Sequence, residues 1–361
     1  MPESVPEPPD PRRYPTVNLM SVATEIPVGQ VSSAEMAARF GVTEDWIVSR
    51  TGIRSRPRAA PDDRLSDFAA RAGAKALAAA RVEAHELDLV IVATITADEL
   101  TPAAAPLVAR ALGAVNAGAF DVASACTGFL TGLAIACGQI ESGRARRILL
   151  IGADFCSRFV DEDDRKVAPL FADAAGAVVI GAGEPRDLGV VDPEADRRGW
   201  VGPIVLSADG DGGRLLYAER LESKMKMDGP EVFRAAVNRM QEASLAAISA
   251  AGSRMSEIDL FVYHQANARI TRALRERLGV AEDRVVDCIE RLGNTTAATL
   301  PLALAHAQDD GRLRRGTSVL LSAFGAGFTW GACVLHWGGP ESDLAAALFD
   351  HDDAAVDSAR V

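Results

Sequence analysis

The amino-acid sequence predicts an α/β fold made of two duplicated halves. Two observations carry this expectation. Continuous apolar runs alternate with amphipathic helical patterns, as parallel strands buried on both faces and joined by crossover helices require. The second part of the chain also echoes the first. Glu86-Leu-Asp-Leu-Val-Ile-Val92 resembles Glu257-Ile-Asp-Leu-Phe-Val-Tyr263, and Gly143-Arg-Ala-Arg-Arg147 resembles Gly311-Arg-Leu-Arg-Arg315.

Taken in order, Met1 to Pro15 is rich in proline and acidic residues, reads as a disordered tail and lacks the apolar core of a signal peptide. Thr16 to Ile26 opens the fold, and Ser32 to Phe40 and Thr43 to Val48 read as helices. Leu65 to Ala80 is an Ala-rich amphipathic helix, Leu87 to Ile95 a buried strand, and Pro102 to Leu112 a helix opened by proline. A short strand, Ala119 to Ala123, leads into a helix over Phe129 to Ile140; Arg147 to Ala153 and Ala177 to Gly181 are further buried strands. From Leu188 to Gly229 the pattern loses regularity. Its glycine-rich Asp209-Gly-Asp-Gly-Gly213 lacks the Lys-Ser/Thr and the strand–helix setting of a phosphate loop and reads as a turn. Pro230 to Ala251 is a long helix that opens the second half. The expected organisation is a tail over 1–15, a first half over 16–185, a connecting insertion over 186–229, a second half over 230–338 and an acidic tail over 339–361.

Composition bounds the function. With 48% hydrophobic and 24% charged residues the 361-residue chain is globular, and a net charge of −12 excludes general nucleic-acid binding, which needs basic residues against phosphate. No apolar run reaches membrane-spanning length, and the reading is of a cytoplasmic protein. The five cysteines form no CxxC pair and the five histidines are dispersed, so neither a disulfide framework nor a metal site is expected.

Chemistry concentrates at strand-to-helix junctions. Asp121-Val-Ala-Ser-Ala-Cys126-Thr-Gly-Phe129 places Cys126 at a tight turn before a helix. The first N–H groups of a helix have no partner within it, and their partial positive charge favours a thiolate, the nucleophilic form of cysteine. A buried structural cysteine is the competing reading. The Gly-Arg motifs are 311 − 143 = 168 residues apart, and the same step from Cys126 reaches Asn294, in Gly293-Asn-Thr-Thr-Ala-Ala298. Cys126 and Asn294 are therefore expected to start equivalent helices that face each other across a pseudo-twofold axis. His264, in Tyr263-His-Gln-Ala-Asn267, ends another buried strand, where α/β sites usually form. A thiolate with two hydrogen-bond donors suits acyl transfer. Trp46 with Arg50, Arg54 and Arg56 suits either a phosphorylated or planar ligand or an ordinary surface patch.

With these residues in view, the sequence resembles the β-ketoacyl-acyl carrier protein synthase III family of the thiolase-like superfamily, over roughly Thr16 to Trp337. The motifs are Asp45-Trp-Ile-Val-Ser-Arg-Thr-Gly-Ile-Arg54, Ala125-Cys-Thr-Gly-Phe129, Met227-Asp-Gly-Pro-Glu-Val-Phe233, His264-Gln-Ala-Asn-Ala-Arg-Ile270, Gly293-Asn-Thr-Thr-Ala-Ala298 and Phe324-Gly-Ala-Gly-Phe-Thr-Trp-Gly331. The resemblance implies a five-layered αβαβα fold, a homodimer, and an enzyme that initiates fatty-acid or polyketide chains by decarboxylative Claisen condensation. It assigns Cys126 to accept an acyl group from acyl-CoA, and His264 and Asn294 to bind the thioester carbonyl of a malonyl-carrier protein. The resemblance also assigns the N–H groups of Cys126 and Ala326 to the oxyanion hole and places Phe324 beside the nucleophile. Ala326 and Pro230 stand where many or some members carry glycine and asparagine. Trp46 and Arg165 are assigned to adenine, and Arg50 and Thr51 to the rest of the nucleotide. No cofactor is implied beyond acyl-CoA as substrate. A same-fold acyltransferase delivering its acyl group to a hydroxyl or amine is the alternative, and the presence of both His264 and Asn294 favours condensation.

Two features bear on specificity. Arg269, Arg272, Arg275 and Arg277 follow His264 in one helical stretch, suited to docking an acidic carrier protein or to an ordinary solvated face. The position where the resemblance places a phenylalanine at the pocket floor, contributed by the other subunit in members restricted to short primers, is 126 − 25 = 101, here Thr101. A longer or bulkier primer than acetyl is expected, unless a neighbouring side chain refills the space.

Overall fold

The computed structural model describes residues 13–187, 199–219 and 224–339. Two sheets are separated by a layer of helices and covered by helices outside. In the first sheet, β1 (Arg13–Glu25) lies at one edge, followed by β7 (Asp173–Asp187), β6 (Arg147–Phe155), β4 (Leu89–Ala93) and β5 (Gly118–Val122) at the other. β4 runs parallel to β5 and β6, and β7 runs antiparallel to β1 and β6. The second sheet repeats that order with β8 (Trp200–Ala208), β13 (Thr329–His336), β12 (Ser318–Gly325) and β11 (Leu260–Tyr263). The counterpart of β5 is reduced to one parallel bridge between Phe261 and Val285. Two small ribbons pair β2 (Gln30–Ser32) with β3 (Ser55–Pro57), and β9 (Leu216–Ala218) with β10 (Met225–Met227).

The period-two alternation of strand side chains explains the continuous apolar runs. In β6, Ile148 and Leu150 join the core between the sheets, while Leu149 and Ile151 pack under the outer helices. In β12, Val319 and Leu321 point inward and Leu320 outward. The middle layer is α5 (Gly128–Glu141) and α9 (Thr299–Asp309), apolar all round because sheets enclose them on both sides. α3 (Leu65–Ala80) and α4 (Ala104–Leu112) cover the first sheet; α6 (Gly229–Ala250) and α7 (Ala268–Leu278) cover the second. α1 (Ser33–Phe40), α2 (Glu44–Thr51) and α8 (Ile289–Leu292) complete the helices used below. Local chemistry sets their starts. Ser32 and Glu35 form a capping box on α1, and Thr43 caps α2. Asp121, on β5, accepts from the first N–H groups of α4 at Ala104 and Ala105, both at 2.7 Å.

The structure moves several boundaries. β1 begins at Arg13, inside the span assigned to the tail, because the long partner β7 extends the ladder to Arg13↔Asp187 beyond the apolar pattern. β8 falls within the span assigned to a connecting insertion and is instead a member of the second sheet. Gly202-Pro203 hides it, and the register against β13 shifts between Cys333 and Leu335. Pro203 cannot donate to a ladder, which an edge strand tolerates. α4 starts at Ala104, two residues after Pro102. Positions 1–12, 188–198, 220–223 and 340–361 of the tails and insertion lie outside the described residues.

The duplication register is also corrected. β4 and β11, the starts of α5 and α9, and the starts of β6 and β12 are all separated by 171 (260 − 89, 299 − 128, 318 − 147). The step of 168 is local to the Gly-Arg turns, because α9 has 11 residues and α5 has 14. The counterpart of Cys126 is thus Ala297, and Asn294 stands three residues before it.

Candidate active site

The turn that carries Cys126 is strained and braced. Ala125 adopts φ 45°, in the left-handed region where a Cβ is unfavourable. The Thr127 hydroxyl holds the turn by donating to the Ser124 carbonyl at 2.8 Å, and it lies 2.8 Å from the Thr329 hydroxyl on β13. β12 ends against the turn: a Cβ on Gly325 would lie 2.9 Å from the Cys126 nitrogen. Cys126 itself is 7% exposed. Burial, with a smaller contribution from the Asp154 carboxylate, pushes its thiol up to about 12, so burial outweighs the helix start and the resting side chain is a thiol.

His264 follows β11, and its N–H donates to the Ser322 carbonyl at 2.8 Å. The ring is 2% exposed, neither nitrogen has a partner, and burial lowers its pKa to about 3, so the imidazole is neutral. The neighbouring residues of its motif have structural work. The Gln265 amide donates to the carbonyls of Tyr263 and Val286 at 3.0 and 3.2 Å. Asn267 caps α7 and donates to the Arg50 carbonyl at 3.0 Å, joining α7 to α2. Asn294 is fixed by its backbone, with its N–H on the Leu170 carbonyl at 2.8 Å and its carbonyl accepting from Ala172 at 2.9 Å. Its Oδ1 accepts from the Thr296 N–H at 2.9 Å, which leaves its Nδ2 group free to donate.

These three side chains line one cavity of about 1160 Å³ together with Phe324 and Ala326. Ala326 does not have a positive φ, so its Cβ is accommodated without the freedom of glycine. Trp46, Arg50, Thr51, Arg165, Pro230 and Arg269 line the same cavity. The guanidinium groups of Arg50 and Arg165 lie 4.3 and 5.9 Å from the Trp46 ring centre. The Thr51 hydroxyl is used locally, donating to Ile47 at 2.9 Å and accepting from the Ile53 N–H at 3.1 Å. Arg272 is exposed and does not line the cavity; Thr101 is likewise exposed and outside it within one chain. Arg275 is paired with Glu282 at 2.8 Å, and Arg277 donates to Asn238 at 2.5 Å.

Sequence reasoning missed part of the cavity lining. Arg214 and Lys226 lie 5.1 and 5.9 Å from the Tyr217 ring, and all three line the cavity, from a span that reads as an insertion. The sequence carried little signal for them, because the basic residues of that span are scattered among a larger number of acidic ones. With Lys166 and Arg234, they gather positive charge around a cavity in a chain of net charge −12, which suits an anionic ligand. No group of residues suited to a metal ion occurs among the described residues.

A cysteine at a strained strand-to-helix turn, a neutral histidine and an asparagine amide in one cavity, on two duplicated halves, define a condensing enzyme of the thiolase-like fold. The chain belongs to the β-ketoacyl-acyl carrier protein synthase III family. Residues 120–199 match the family model described as 3-oxoacyl-[acyl-carrier-protein] synthase III, and residues 248–337 match its C-terminal model. β-Ketoacyl-[acyl-carrier-protein] synthase III 3 of Streptomyces coelicolor is 41% identical over 333 residues, 88% of this chain and 96% of that protein. The synthase III of Caulobacter vibrioides is 41% identical over 320 residues, 87% and 97% of the two chains. Among solved structures, 3-oxoacyl-[acyl-carrier-protein] synthase III of Aquifex aeolicus superposes with a TM-score of 0.83 at 34% identity, covering 89% of this chain and 100% of that one. The priming β-ketosynthase from the R1128 polyketide pathway superposes with a TM-score of 0.83 at 35% identity, covering 92% and 99%. The protein is a β-ketoacyl-acyl carrier protein synthase III-type enzyme catalysing an initiating Claisen condensation.

Proposed function

We propose that Cys126 takes the acyl group of an acyl-CoA primer and that His264 and Asn294 then activate a malonyl-carrier protein. The observation that carries this reading is the single cavity shared by the thiol, the unpartnered imidazole and the Asn294 amide. In the first half-reaction the Cys126 sulfur attacks the thioester carbonyl carbon. The carbon–sulfur bond to CoA breaks, and the thiol proton leaves with CoA as its thiol. The N–H groups of Cys126 and Ala326 receive the transient oxyanion. In the second, Asn294 Nδ2 and a protonated ring nitrogen of neutral His264 donate to the malonyl thioester oxygen. Carbon dioxide leaves, the electron pair forms an enolate, and its carbon attacks the acyl-cysteine, releasing the Cys126 thiolate. Donors preorganised towards developing negative charge supply a large share of such rate enhancement, about 3–4 kcal/mol each. No cofactor is required.

The nucleotide of CoA is assigned to Trp46, Arg165 and Arg50, with Thr51 contributing its surface rather than its occupied hydroxyl. Arg269 and Arg272 present exposed charge for an acidic carrier protein. A homodimer is supported by the unpaired edge of β5 and by exposed apolar residues beside it, Val115 at 83% and Leu100 at 82%. Ile95 lines the cavity yet is 40% exposed, so a second copy covering this edge would close it. None of the described helices is long and apolar enough to cross a membrane. The test incubates purified protein with acyl-CoA and malonyl-carrier protein. Mass spectrometry should find a carbon-acylated carrier product and released CO₂; acyl transfer to a hydroxyl or amine without CO₂ overturns the proposal.

A further inference from the structure

Asp154 is a fully buried carboxylate that the reaction above does not use. It stands at the end of β6, where the apolar run gives way, and it faces the second half. One oxygen accepts from the Thr94 hydroxyl at 3.1 Å, the Ile95 N–H at 2.9 Å and the Thr96 hydroxyl at 2.9 Å. The other accepts from the Thr296 hydroxyl and from the Ala297 N–H at 3.2 Å. Thr296 adopts φ 50°, a backbone state that a β-branched residue avoids unless its surroundings hold it there. That same residue gives its N–H to Asn294 Oδ1 at 2.9 Å. An amide whose oxygen is engaged by an N–H must present its NH₂ group elsewhere, and Asn294 lines the cavity.

We infer that Asp154 and Thr296 are positioning residues: the carboxylate clamps Thr296 in its left-handed conformation, and Thr296 in turn aims the Asn294 amide at the malonyl thioester oxygen. This deepens the functional reading above and rests on it. The clamp belongs to the decarboxylating half-reaction alone, because the Cys126 turn has its own brace through Thr127 and Thr329.

The test measures two half-reactions on the full-length protein: self-acylation from acyl-CoA by intact mass, and decarboxylation of malonyl-carrier protein. Thr296→Val keeps the shape and removes the bond to Asp154. It should slow decarboxylation about 10- to 100-fold, the scale of a small misplacement in an oriented site, with self-acylation within about threefold of wild type. Thr296→Ser keeps the hydroxyl and should recover most of the loss. Asp154→Asn should lose decarboxylation in the same direction. An equal loss of both half-reactions in Thr296→Val, or full decarboxylation in it, overturns the inference. A wild type that neither decarboxylates nor condenses overturns the functional reading and the inference together, whereas a condensing wild type beside an unaffected Thr296→Val overturns the inference alone.

Discussion

The two halves each build a strained turn before a buried central helix, at Ala125-Cys126 and Thr296-Ala297, with φ of 45° and 50° at the first residue of each pair. What lies opposite each turn differs. The strand position facing the second turn carries Asp154, whose carboxylate takes the Ala297 N–H. The position 171 residues on carries Gly325, which presents no side chain to Cys126, and no side chain among the described residues takes the Cys126 N–H. Both turns therefore offer a backbone donor to an anion. In the second, the protein itself supplies the acceptor, a carboxyl oxygen of Asp154, and the nucleophile's place is an alanine. In the first, the donor is left for the substrate. Duplication made two equivalent frames, and the division of labour follows from two side chains.

The sharpest way to break this comparison is to remove the nucleophile. Cys126→Ala should abolish covalent acyl-enzyme on intact-mass analysis while malonyl decarboxylation by His264 and Asn294 persists. A surviving adduct would place the nucleophile elsewhere. The reciprocal change, Asn294→Ala, should cost condensation about 10²–10³-fold, the range for losing one preorganised donor, with self-acylation near wild type. Equal damage to both half-reactions would show that the two turns do not work separately.

A pH contrast sharpens the same division. The Cys126 thiol is pushed up to about 12, so its thiolate fraction is small at neutrality and grows with pH. Alkylation of Cys126 should rise about tenfold per pH unit through neutrality, without a plateau there. His264 is lowered to about 3 and stays neutral as pH falls through the range where an ordinary histidine protonates. Decarboxylation by Cys126→Ala should accordingly be flat from about pH 5 to about pH 9. A midpoint near that of an ordinary histidine would mean that the ring is charged in the working site.

Much of this was legible in the sequence, for identifiable reasons. Strands buried on both faces leave continuous apolar runs, so β4, β6 and β12 stand out, and so do Cys126 and His264, the polar residues that follow β5 and β11. β8 was hidden because an edge strand tolerates Gly202-Pro203. The pairing of Cys126 with Asn294 was an error of register. The Gly-Arg turns are landmarks outside the core, displaced by the shorter α9, while the strands keep the true step. Asp154 went unnoticed because a lone aspartate ending a strand carries no pattern; its importance lies in five donors that converge only on folding.

The halves differ once more at their outer edges, and the smallest expected effect lies there. β5 is a full strand with a free edge, whereas its counterpart is a single bridge at Val285. Thr101 stands just before α4, the helix capped from β5 by Asp121, and it is exposed outside the cavity of its own chain. If a second copy pairs on this edge, Thr101 of the partner subunit would stand at the floor of the primer pocket, where a small side chain leaves depth. Each further buried CH₂ of a primer contributes about 0.8 kcal/mol, roughly fourfold in kcat/KM, as long as the channel stays dry and open. A series of acyl-CoA primers of increasing length should therefore peak beyond acetyl in the wild type, and Thr101→Phe should move the peak towards acetyl. Protein interiors seldom leave voids, so a neighbouring side chain filling the space is the physical competitor. That competitor wins if acetyl-CoA is already the best primer and Thr101→Phe leaves the profile unchanged, and the free edge of β5 would then have no bearing on primer length.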